Sequence, residues 1–211
     1  MVNSTSFSKM ARAKPAINII FVGHVDHGKS TTVGRLFYDS GVIDEQTMRK
    51  LKETAKEVGK VGFEFAFVMD NLKEEQERGV TIDLSYKKFP SNKFDVTIID
   101  APGHKDFVKN MITGSSQADA AFLVVAAAEG IMAQTKEHLW LLKTLGVGQI
   151  AVLINKMDTV KYDKAKFEAV KAEVGKLVQT VGYKLDQVNF IPLSAFEGEN
   201  VAKRSTQMSW Y

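Results

Sequence analysis

Gly23-His24-Val25-Asp26-His27-Gly28-Lys29-Ser30 is the stretch whose residue types and spacing could do chemistry most directly. It has the form GxxxxGK[ST], a loop that cradles phosphate. Two glycines let the backbone fold tightly, so that the N–H groups between Gly23 and Thr31 converge on anionic oxygens. The helix begun at Lys29 adds its N-terminal dipole. Lys29 supplies a cation to the β- and γ-phosphates, and Ser30 a hydroxyl to Mg²⁺. The competing reading is a glycine-rich turn with no ligand. His24 and His27 flank Asp26 and could suggest zinc, but a loop wrapped around phosphate does not aim them at one ion. Both histidines are expected at the rim of the loop.

Two further clusters complete the chemistry. The run Val96-Thr97-Ile98-Ile99 delivers Asp100, followed by Ala101-Pro102-Gly103-His104. A carboxylate at the end of a buried strand is costly without a partner, and a Mg²⁺ beside Ser30 would provide one through a water. Gly103 lacks a Cβ, so its N–H can approach a γ-phosphate closely. A plain strand-ending turn is the alternative. Asn155-Lys156-Met157-Asp158 follows another apolar run. Asp158 can accept hydrogen bonds from guanine N1–H and the exocyclic amine, whereas adenine has no N1–H to offer. Asn155 would tie the loops together, and the Lys156 stem would pack on the base. Ser194-Ala195, with Phe196 beside them, can offer a backbone N–H to guanine O6. In this order the clusters favour GTP over ATP.

These residues need elements to position them. The chain has 211 residues, 45% hydrophobic and 25% charged, which suits one globular domain with a real core and excludes a disordered chain. With no cysteine, a disulfide scaffold, a thiolate metal site and a cysteine nucleophile are excluded. A net charge of +3 is too small to argue nucleic-acid binding from electrostatics. Residues 1–14 are polar, lack the apolar core of a secretory signal and read as a flexible tail. Residues 15–211 read as the nucleotide-binding domain, and the chain as a cytoplasmic one with no membrane contact.

Strands are expected at Ile17–Val22, Thr81–Phe89, Lys93–Ile99, Ala120–Ala127, Ile150–Ile154 and Phe190–Leu193. Helices are expected at Lys29–Asp39, Asp44–Val58, Thr135–Leu145 and along the apolar stripe Phe167 to Val181, stopped by Gly182. Residues Glu74–Gly79 read as a charged loop or a short helix. Strands alternate with helices and most are apolar on both faces. The expected fold is α/β, a P-loop NTPase with a mostly parallel six-stranded sheet, one antiparallel edge strand, and helices on both faces.

In this order the motifs resemble the translational GTPases, specifically the elongation factor 1-alpha and Tu branch. GHVDHGKST, ERGVTID, DAPGHKDFVKNMITGSSQADAAFLVV, INKMD and the terminal Trp210-Tyr211 carry the resemblance, which runs from about Lys14 to Tyr211. It implies a GTPase domain that binds GTP or GDP with Mg²⁺. It implies that Thr81 completes the Mg²⁺ shell, that His104 is catalytic, and that Val25 and Val80 gate it. It also implies aminoacyl-tRNA, the ribosome and a guanine-nucleotide exchange factor as partners of a monomer. Lys105 and Gln76 depart from the usual arginines. The family continues into two β-barrel domains, so the chain is expected to be one domain of a longer protein. Three other readings share some of these motifs: a related GTPase of another pathway, a nucleotide-binding module without hydrolysis, and an ATP-dependent enzyme.

Overall fold

The computed structural model describes residues 14–69, 83–102 and 108–211. Six strands form one sheet: β1 (Ala16–Gly23), β2 (Ser85–Pro90), β3 (Asp95–Asp100), β4 (Ala120–Ala126), β5 (Gln149–Asn155) and β6 (Asn189–Pro192). Their order is β2-β3-β1-β4-β5-β6. All neighbours run parallel except β2, which joins β3 antiparallel at the edge. The expected fold class holds.

The helices are α1 (Lys29–Asp39), α2 (Glu45–Glu57), α3 (Val108–Ser116), α4 (Ala133–Thr144) and α5 (Lys164–Val181). Local chemistry sets their ends. Asp44 Oδ1 accepts from Thr47 N–H at 2.7 Å and caps α2. Asp163 caps α5 the same way through Ala165 N–H, and Gly182, with φ near +96°, ends it in a left-handed turn. Helix α3 was not expected from sequence. Its interior Gly114 and flanking Thr and Ser weaken the helical pattern. Gly114 lets α3 pack closely: a Cβ there would lie 2.6 Å from Leu84 Cδ2 and 3.2 Å from Ile20 Cδ1, so the Leu84 side chain would have to shift.

Alternation along the central strands sends side chains to two cores. Ile20, Val22, Ile99, Leu123, Val125, Val152 and Ile154 face α3, α4 and α5. Phe21, Ile98, Val124 and Leu153 face α1, α2 and the segment at residues 65–69. This two-sided burial explains why the strands read as continuous apolar runs. The expected charged loop at Glu74–Gly79 lies outside the described residues.

The strand registers bring functional positions to one end of the sheet. Phe21 pairs with Asp100, Gly23 with Val124, Ala126 with Asn155, and Ile154 with Pro192. The crevice outside these carboxyl ends, where connections diverge on either side of β1, is where open parallel sheets bind ligands.

Gly34 sets how closely α1 meets the segment beginning at Phe65. A Cβ on Gly34 would sit 1.8 Å from Phe65 O, a backbone atom that cannot step aside alone. Gly34→Ala should therefore destabilise the fold by about 2 kcal/mol or more. Urea denaturation would read this as a lower midpoint; an unchanged midpoint would contradict the packing described here.

Candidate functional site

The turn between β1 and α1 carries the phosphate-loop sequence and has the backbone such a loop needs. Gly23, Asp26 and Gly28 have φ of +144°, +62° and +85°. A Cβ at Gly23 would meet Val124 O at 2.3 Å, and one at Gly28 would meet Asn155 Nδ2 at 2.4 Å. Both glycines are thus fixed by close neighbours as well as by conformation. Gly28 also starts α1, whose first turn is closed by Thr32 N–H on Gly28 O at 2.9 Å.

Lys29 is buried and its Nζ donates to His24 O at 3.0 Å. Burial pulls the ammonium down to about 8, opposed by the charges of Asp100 and then Asp26. Asp100 is fully buried at the end of β3. Ser30, Thr31, His24 and Val25 are partly buried around the same loop, and Asp26 is exposed. Ser30 and Asp100 together offer hard oxygen donors, the type that suits Mg²⁺. Thr81, Gly103 and His104 lie outside the described residues, as do Val80, Gln76 and Lys105.

His27 is a correction to the expected rim position: it is fully buried. Its Nδ1 lies 3.3 Å from Ala126 N and 3.4 Å from Val124 O, and its Nε2 lies 3.6 Å from Glu129 Oε2. Burial lowers its pKa to about 4, with Glu129 opposing, so the ring is neutral near pH 7. The loop doubles back over the ends of β1 and β4 and tucks this ring beneath itself. His24 remains partly buried, its ring 5.2 Å from that of His27.

Asn155 joins the second loop to the first. Its Nδ2 donates to His27 O at 2.9 Å, and its Oδ1 accepts from Ala195 N–H at 3.0 Å. Asp158 Oδ1 accepts from Ser194 Oγ at 2.5 Å, and that hydroxyl accepts in turn from Glu197 N–H at 3.2 Å. Lys156 adopts φ near +59° and its Nζ lies 3.8 Å from Glu129 Oε1. Ser194 and Ala195, expected to offer a backbone N–H to guanine O6, lie in the turn that follows β6. Ser194 N–H donates to Glu199 O and Ala195 N–H to Asn155. The amide in this turn without an acceptor among the described residues is that of Phe196, whose side chain is exposed.

Sequence reasoning missed His138. On α4 its Nδ1 accepts from Gly23 N–H at 3.1 Å, anchoring the first residue of the phosphate loop. Burial, then the Lys29 and His24 charges, lower its pKa to about 3, so it accepts as a neutral ring. Its spacing with Thr135, Leu139 and Leu142, all buried, was the available signal. A histidine within a core-facing stripe needs a polar partner.

The elongation factor Tu GTP-binding domain profile matches residues 14–208. Elongation factor 1-alpha of Methanocaldococcus jannaschii is 60% identical over 206 residues, covering 96% of this chain and 48% of that protein. Elongation factor 1-alpha of Archaeoglobus fulgidus is 56% identical over 202 residues, with 96% and 48% covered. The chain thus spans about half the length of these curated relatives. Among solved structures, a bacterial selenocysteine-specific elongation factor superposes with a TM-score of 0.67 at 31% identity, covering 89% of this chain and 27% of that one. The GTP-bound GTPase-like domain of Saccharomyces cerevisiae Ski7 superposes at 0.80 and 22% identity, with 94% and 47% covered, a likeness of fold. Strand-end loops bonded through Asn155 and a profile matched across almost all of the sequence lead to one conclusion: the chain belongs to the elongation factor Tu GTP-binding domain family.

Proposed function

We propose that this chain binds and hydrolyses GTP and that the protein containing it delivers aminoacyl-tRNA to the ribosome. The observation that carries the nucleotide reading is the Asn155 side chain, bonded at once to the phosphate loop and to the turn at Ala195. A ligand spanning both loops must have phosphates at one end and a base at the other. Asp158, set by Ser194, takes the guanine N1–H and 2-amino group; the Phe196 end of the turn takes O6. The Lys156 stem covers one face of the base.

Residues 23–31 receive the phosphates on their amides, and Lys29 supplies the charge. Ser30 and Asp100, the latter through water, would hold Mg²⁺ together with Thr81. The ion would neutralise phosphate charge. His104 orients the attacking water, for which imidazole is too weak a base to act by full proton removal. Thr81, Gly103 and His104 take these roles from the family resemblance. Loss of the γ-phosphate removes the hold on Thr81 and Gly103, which releases the partner. An exchange factor restores GTP, and the protein acts as a cytoplasmic monomer. Among the described residues no helix is long and apolar enough to cross a membrane.

Asp158→Asn tests the base reading. Xanthine carries a 2-keto group that needs a donor, so the variant should lose about 100-fold or more in GDP affinity and gain affinity for xanthosine diphosphate. Competition against a fluorescent nucleotide reads both; retained preference for GDP would refute the assignment.

Lys29 gives a pH dependence. In the free chain its charge is lost as pH rises through about 8, whereas bound phosphate holds the proton. Affinity for GDP should fall as pH climbs above about 8, by up to about tenfold per unit, with proton uptake on binding. Calorimetry at about pH 8, the lysine's midpoint, in two buffers of different ionisation enthalpy measures that uptake. Equal heats in both buffers would contradict the role of Lys29.

A further inference from the structure

The 194–198 turn is anchored at both ends, and the second anchor comes from α1. Arg35 Nη1 donates to Phe196 O at 2.8 Å, and Nε donates to Asp39 Oδ1 at 2.8 Å. Its guanidinium carbon lies 5.0 Å from the centre of the Phe65 ring. The backbone at Gly198 is pressed against the same group: a Cβ there would fall 2.2 Å from Nη2 and 2.5 Å from Cζ. Gly198 has φ near +83° and its N–H donates to Ser194 O at 2.8 Å. One planar side chain therefore fills the space between α1, the Phe65 segment and the far end of the turn.

The near end of that turn bears the base-reading contacts. Ser194 Oγ meets Asp158 Oδ1, and Glu197 N–H holds the same hydroxyl from behind. Anything that fixes residues 196–198 also fixes the hydroxyl that orients Asp158. Arginine suits this duty because its rigid fork can serve the Asp39 carboxylate and the Phe196 carbonyl together. Asp39 balances the charge, so the guanidinium stays in place without a second anion.

The geometry points to Arg35 as a positioning residue for guanine recognition: it pins the 196–198 end of the turn to the phosphate-loop helix, so that Ser194 keeps Asp158 aimed at the purine. This rests on the reading of Asp158 as the base-reading group. Arg35 touches neither base nor phosphate in this account. It acts through Phe196 O, Gly198 and Ser194.

The test compares GDP with inosine diphosphate, which keeps N1–H and O6 but lacks the 2-amino group. Each displaces a fluorescent GDP analogue from the 211-residue chain, in the parent, Arg35→Lys and Arg35→Ala. Lysine keeps the charge and the aliphatic stem, but its single ammonium cannot reproduce both bonds with the planar geometry. Arg35→Lys should weaken GDP by about tenfold and inosine diphosphate by clearly less, so that the preference for GDP shrinks by about threefold or more. Arg35→Ala should do the same to a greater degree; should it fail to fold, Arg35→Lys decides. A merely structural role would weaken both nucleotides by one factor. Unchanged GDP affinity in Arg35→Lys, or equal weakening of the two, overturns the inference. A parent that does not distinguish the two nucleotides would instead overturn the reading of Asp158 on which it rests.

Discussion

The site depends on the side chain of one residue, Asn155. Its amide has one donor end and one acceptor end, and each is used: Nδ2 on His27 O, Oδ1 on Ala195 N–H. The residue is buried, so either bond left unmade would cost the desolvation of a polar group with no return from water. Aspartate could not donate to the His27 carbonyl, and leucine could bond to neither loop. Gly28 is tied to the same constraint, because a side chain there would occupy the place of Asn155 Nδ2. The loop after β1 and the turn after β6, separated by more than a hundred residues, are thus joined through one side chain.

Around that link the sheet provides a rigid floor. The carboxyl ends of β3, β1 and β4 step by two residues from strand to strand, Asp100 pairing with Phe21 and Gly23 with Val124, while β4 and β5 end level at Ala126 and Asn155. Two buried histidines brace the loop from below, His138 at its first amide and His27 against Ala126. Both are held neutral by burial, so neither adds a positive charge beside Lys29. Arg35 performs the matching service for the turn at the other end. Pre-organisation of this kind lowers the ordering cost of binding.

Much of this was legible in the sequence, for local reasons. The phosphate loop, Asp100 and Asn155 to Asp158 lie next to short apolar runs that could only be strands, and helix α1 runs over Lys29–Asp39 as its pattern predicts. What could not be read were partners distant in the chain. His27 looked like a loop residue because nothing nearby in sequence shows the loop folding over it. Arg35 carries no signal of its role, because beside its i, i+4 pair with Asp39 its bond to Phe196 spans 161 residues. The Ser194 and Ala195 amides seemed available because their acceptors, Glu199 and Asn155, are fixed only by the folded turn.

The central claim is that one nucleotide engages the phosphate loop and the guanine turn together. Amide resonances followed by NMR while GDP is titrated into the chain measure this directly. Signals from residues 23–31, 155–158 and 194–198 should move or exchange together, with a common saturation point, and ADP at the same concentrations should leave the 194–198 signals in place. Shifts confined to the phosphate loop, or identical shifts with ADP, would contradict it.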